Sequence, residues 1–225
     1  MEMKKVYLLL FCFMANLLLL FPPAFCAQSE IGRCISKLEK KYETMKDFQA
    51  RFEQETHLSS LNRVEKGEGA VYFKKWGKML WEYSKPTVQK IVLDGKTLWF
   101  YLPEEKQVMK NNFSVIPRHI AVDLFRGKIN IQEKFKVIFI QEVLKDKKTE
   151  IVIELIPIIY NPAIKKLKLW IDPKEYYISK SSLEDEFGNK TVLTFSKIKV
   201  DRGIDDSLFE FVPPPGIEIF EPPKM

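Results

Sequence analysis

The stretch GEGAVYFKKWGKMLWEYSKPTVQKIVLDGKTLWFY, residues 67–101, decides the fold. Val71 and Phe73 alternate with Tyr72 and Lys74, while Met79, Trp81 and Tyr83 alternate with Lys78, Leu80 and Glu82. Successive side chains of a strand point to opposite faces, so this period of two predicts a sheet with one strongly apolar face. Asp94-Gly95 separates residues 90–93 from 96–102 and reads as a two-residue hairpin turn. The stretch is dense in large rings and holds no group suited to covalent chemistry. It predicts a curved surface that holds something greasy.

Working outward to the N-terminus, Lys4 and Lys5 precede the apolar run 6–21, and Ala24 and Cys26 stand at the −3 and −1 positions of a cleavage site. Residues 1–26 therefore read as a secretory signal peptide, cut after Cys26 or Ala27, leaving one domain over 27–225. The run approaches the roughly 17–20 residues of a membrane span, but Pro22-Pro23 and the small-residue exit favour removal. Lipidation of Cys26 is a further reading; Phe25 stands where such signals place Gly or Ala. The chain carries a net charge of +6, and loss of Glu2, Lys4 and Lys5 leaves 6 − 1 = +5. Cys34 is then the only cysteine, so export creates no intramolecular disulfide.

Ile31, Cys34, Ile35, Leu38 and Tyr42 follow helical spacing and predict an amphipathic helix beginning near Ser29. Phe48, Ala50 and Phe52 return to the strand period, and the polar residues 58–66 read as a hairpin loop. A short strand is expected around 107–110. Ser114, Pro117 and Gly127 then mark a helix whose apolar stripe is Ile116, Ile120, Leu124 and Phe125. Lying between strands, it is either a lid over one face of the sheet or a packing helix. The second half reads as strands at 135–144, 149–156, 167–171, 176–183 and 191–198, with turns at 145–148, Asp172-Pro173 and Gly188-Asn189. A turn at 205–208 and a short edge strand stopped by three prolines close the chain. The expected class is mainly β (α+β): a single curved antiparallel sheet of about ten strands forming an incomplete β-barrel, capped by a helical lid.

The chemistry-bearing residues are sparse. A hydrolase needs a nucleophile beside a base, yet His57 falls in a polar loop and His119 on the solvent side of a short helix. No His, Cys or carboxylate cluster suits a metal. Gly95-Lys96-Thr97 resembles the end of a phosphate loop, but Lys90 stands where its first Gly belongs. Glu104-Glu105 and Glu184–Glu186 read as solvated charge. Lys165, Lys166 and Lys168 beside Trp170 could suggest nucleic acid; an export signal argues instead for anionic lipid headgroups or acidic protein surfaces. The reading is therefore a binding protein with no catalytic residues, metal or cofactor and no nucleic-acid partner.

Four segments in order resemble the LolA family, the periplasmic carriers of outer-membrane lipoproteins: FQARFEQET (48–56), GEGAVYFKKWGKMLWEY (67–83), KIVLDGKTLWFYLPEEKQV (90–108) and LFEFVPPPGIEI (208–219). The resemblance implies an incomplete barrel whose hollow, capped by helices, takes acyl chains of lipoproteins. Its implied partners are acylated lipoproteins, an inner-membrane ABC-type releasing complex and an outer-membrane receptor, with the carrier itself a monomer. Strand parity assigns Val71, Phe73, Met79, Trp81, Tyr83, Ile91, Leu93, Leu98 and Phe100 to the lipid-binding face; Ile116, Ile120, Leu124 and Phe125 would meet them from the lid. Lys75-Trp76 departs from the family pattern, which commonly has Arg-Pro there, so the implied lid-latching role passes to Lys75, without the planar fork of guanidinium. A carrier of another lipid, or a lipid-anchored receptor or stress sensor, shares the same fold.

Overall fold

The computed structural model describes residues 24–112, 130–145 and 148–221. The expected lid residues Ile116, Ile120, Leu124 and Phe125, and His119, lie outside them. Helix α1 (Ala24–Thr44) starts earlier than Ser29, within the segment read as signal peptide. From Lys37 onward it buries Leu38 and Tyr42. The Tyr42 hydroxyl accepts from the Ile178 N–H at 3.0 Å. The Glu39 carboxylate accepts from the Ile131 N–H at 2.6 Å, at the start of the one-turn α2 (Ile131–Lys134). Among the described residues no helix is long and apolar enough to cross a membrane.

Among the described residues twelve strands form one open, curved sheet. They are β1 (Asp47–Leu58), β2 (Arg63–Lys74), β3 (Lys78–Lys85), β4 (Gln89–Asp94), β5 (Thr97–Leu102), β6 (Gln107–Asn112), β7 (Phe135–Lys145), β8 (Lys148–Pro157), β9 (Lys166–Ile171), β10 (Ile178–Glu184), β11 (Lys190–Val200) and β12 (Glu218–Phe220). Their order is β12-β6-β5-β4-β3-β2-β1-β11-β10-β9-β8-β7. Two runs of consecutive hairpins, β1–β6 and β7–β11, are thus welded by the β1–β11 pair. The pairing is antiparallel except for β12, which lies parallel to β6.

The structure corrects three local expectations. Residues 58–66 are mostly strand: β1 and β2 pair out to Leu58↔Arg63, and the loop is a 3-10 turn (Ser59–Leu61) closed by Asn62 at φ 46°. Their polarity marks a solvated ribbon stitched by cross-strand pairs such as Lys66–Glu55 at 2.8 Å. In the β4–β5 hairpin the loop residues are Gly95-Lys96 rather than Asp94-Gly95. Asp94 ends β4, and its carboxylate accepts from the N–H groups of Lys96 and Thr97, both at 2.8 Å, while Gly95 supplies φ 105°.

The third correction concerns the C-terminus. After β11 the chain forms a 3-10 turn (Asp206–Phe209), and only Glu218–Phe220 is strand. This strap, residues 201–217, crosses the sheet instead of extending its edge. Phe209 packs fully buried on Leu80 and Val92, with Tyr72, Trp99, Ile204 and Phe211 around them. Buried Asp47 holds the crossing point: its carboxylate accepts from the N–H groups of Arg202 (2.8 Å), Gly203 (2.8 Å) and Ile204 (3.3 Å). The Lys74 Nζ donates to the Ile204 carbonyl at 2.6 Å and pairs with Asp206, as does Lys78 at 3.1 Å.

Candidate functional site

Residues directly opposite in neighbouring strands share a face, so the register shows which side chains meet. Val71 faces Trp81, Phe73 faces Met79, and Gly69 faces Tyr83 across β2–β3. Trp81 faces Ile91 and Met79 faces Leu93 across β3–β4; Ile91 faces Phe100 and Leu93 faces Leu98 across β4–β5. The nine expected strand residues therefore lie on one continuous face, opposite the face that the strap covers.

This face is graded. Val71, Phe73, Trp81 and Leu93 are buried, whereas Met79, Tyr83, Ile91, Leu98 and Phe100 keep part of their surface accessible. Met109 of β6, opposite Phe100, is 46% exposed. The sheet is thus packed solid toward β1 and β2 and leaves apolar surface available toward β4–β6.

The packed end is an aromatic cluster only partly anticipated. Phe48, Phe52 and Phe195 join it from β1 and β11: Phe52 meets the rings of Trp81 and Tyr83 edge-on at 4.7 and 4.8 Å, and Phe195 meets Phe48 at 6.1 Å. The alternation of Phe48 and Phe52 was visible in the sequence; their placement beside Phe195 needed the β1–β11 register. That register shifts between Gln49 and Arg51, where Lys197 at φ 52° takes up the extra residue of a bulge.

Two tyrosines stand out: Tyr83 on this face and Tyr42 on α1. The Tyr83 hydroxyl donates to Gln54 at 2.9 Å, and burial raises its pKa to about 12. Burial also raises the pKa of Tyr42, against the opposing effect of its hydrogen bond from Ile178. Among the described residues no group of His, Cys, Asp and Glu could hold a metal ion. His57 is on β1, opposite Val64 and Lys190, rather than in a loop.

Lys75 lies in the β2–β3 turn. Its backbone N–H donates to the Lys46 carbonyl at 2.9 Å, and its ammonium has no ion-pair partner among the described residues. Among the described residues the geometry offers a wide apolar surface, which is suited to binding.

Residues 43–212 match the family model described as outer membrane lipoprotein carrier protein LolA. An outer-membrane lipoprotein carrier protein of Nitrosomonas europaea is 30% identical over 172 residues, covering 76% of this chain and 81% of that protein. Another, from Methylococcus capsulatus, is 25% identical over 189 residues, covering 83% and 86%. The crystal structure of an uncharacterized conserved protein from Thermus thermophilus shares the fold, with a TM-score of 0.57, 13% identity, and coverage of 86% of this chain and 99% of that one.

Proposed function

This chain belongs to the LolA family of outer-membrane lipoprotein carriers, and we propose that it holds the acyl chains of a lipoprotein against the aromatic face of its sheet. The observation that carries the reading is the graded face. Buried rings from β1–β3 give it a rigid floor, while Met79, Tyr83, Ile91, Leu98, Phe100 and Met109 keep surface available to a guest. Each CH₂ taken from water contributes about 0.8 kcal/mol, so an acyl anchor gains strongly from such a surface. No covalent step is needed; the family is one of binding and transport.

The carrier acts in the periplasm in this reading, taking cargo from an inner-membrane ABC-type complex and passing it to an outer-membrane receptor. Partial exposure suits that exchange, because a fully enclosed guest would be slow to leave. In the same reading Lys75 latches the lid expected over residues 114–127, with Ile116, Ile120, Leu124 and Phe125 covering the chains. Its flexible ammonium would hold that lid less directionally than an arginine.

The test is a release assay. The exported chain is added to spheroplasts making a labelled, outer-membrane-destined lipoprotein. The expected result is a soluble one-to-one complex that forms only when the cargo is acylated and weakens several-fold in Ile91→Glu, which places charge on the accessible part of the face. Cargo that stays in the membrane while a competent control carrier releases it would overturn the lipoprotein reading.

A further inference from the structure

The β2–β3 turn carries a feature that holding a guest does not require. Trp76 is 81% exposed at its tip, and its backbone takes φ 72°, a conformation uncommon for a bulky L residue. A ring presented this way costs solvation and backbone freedom and contributes nothing to packing.

Its surroundings are basic. Lys46 is tied to the same turn through its carbonyl, which accepts from the Lys75 N–H at 2.9 Å. The β4–β5 turn lies alongside, since a Cβ on Gly95 would stand 3.6 Å from the Trp76 carbonyl oxygen, and it carries Lys96. Among the described residues the ammonium groups of Lys46, Lys75 and Lys96 have no carboxylate partner.

The carboxylates at this end are engaged elsewhere. Asp94 caps its own turn through Lys96 and Thr97, and Asp201 accepts from the Lys46 backbone at 2.6 Å. Asp47 holds the strap, and Asp206 serves Lys74 and Lys78. Elsewhere on the sheet, Lys66, Lys85, Lys90 and Lys168 each pair with a glutamate from a neighbouring strand.

We propose that this tip is a docking element for the surface of an anionic lipid bilayer. The indole of Trp76 sits at headgroup depth, where tryptophan is favoured, and Lys46, Lys75 and Lys96 meet lipid phosphates. The contact is peripheral and reversible: one ring and three cations anchor the protein weakly, and salt screens the cationic part. It goes beyond the carrier reading by giving the protein its own contact with a membrane, independent of cargo.

The test uses the exported, processed chain without cargo, floated with vesicles of phosphatidylcholine alone or mixed equally with phosphatidylglycerol at low ionic strength. Binding is expected to the anionic vesicles, with a blue shift of tryptophan emission that is absent in Trp76→Phe. Trp76→Ala should lower partitioning about tenfold, and the pair Lys46→Gln and Lys96→Gln about 20-fold. Circular dichroism checks that the variants keep the fold. Absence of binding to either vesicle overturns the proposal, as does binding that both variants retain. So does binding that is lost in Ile159→Ser, whose exposed side chain lies at the far end of the strands with Phe187 and Leu61. Because no lipoprotein is present, failure here and failure of the carrier reading are separate results.

Discussion

Gly69 shows how one missing side chain fits the aromatic face together. A Cβ there would stand 2.0 Å from the Glu82 carbonyl oxygen and 2.9 Å from the Phe52 ring, at the point where the β2–β3 register shifts. Phe52 lies over the space that glycine leaves and reaches Trp81 and Tyr83 from there. Gly69→Ala should therefore destabilise the protein by about 3 kcal/mol, since backbone rather than a flexible side chain must yield. Gly67→Ala should cost much less, because its nearest neighbour is the Tyr83 ring at 3.3 Å, which can shift. Urea midpoints of the two variants check the contrast; equal midpoints would refute it. The strand period was plain in the sequence at these positions. That Phe52 roofs a glycine on the next strand was not, because alternation gives the face of a residue and not its neighbour across the ladder.

At the scale of elements, the strap carries more than its irregular sequence suggests. Leu80, Val92 and Trp99 alternate out of phase with the aromatic face and would present an apolar patch to water if nothing lay over them. Phe209 fills that patch, so Phe209→Ala should cost about 3–5 kcal/mol, while Val212→Ala, at a position 83% exposed, should be nearly neutral. Chemical denaturation measures both, and a mild effect at Phe209 would mean that the strap only rests on the sheet. FEFVPPPGIEI reads as an edge strand because Phe209 and Phe211 alternate. The pull of Leu80 and Val92 turns its first half across the sheet instead, and the edge strand forms only after the prolines, at Glu218–Phe220. Asp47, which anchors the crossing, gave no local signal, since the N–H groups it collects lie more than 150 positions away. The hairpins, by contrast, were legible almost strand by strand, since each is decided by adjacent residues and a turn.

For the molecule as a whole, the phenols report on whether the fold holds together. An unfolded tyrosine ionises near pH 10, whereas burial holds Tyr83 protonated to about pH 12 and raises Tyr42 as well. The unfolded chain therefore loses these protons first. Their contribution to stability is full below pH 10 and is lost as pH climbs toward 12. Ultraviolet titration should find Tyr42 and Tyr83 silent until a cooperative unfolding step releases both, with Tyr177, partly desolvated and facing Asp172, also ionising late; smooth ionisation of all the tyrosines near pH 10 would contradict the burial. The sheet order has a consequence in time as well as in space. Thr56 of β1 meets Thr191 of β11, 135 positions later, and the strap that seals β3 and β4 follows β11. Whatever machine delivers the chain from its N-terminus, the first six strands emerge with both faces unprotected and wait for the last residues to arrive. Such long-range pairing slows folding and prolongs exposure of sticky intermediates. A member of a lipoprotein-carrier family thus spends its own first moments in need of shelter.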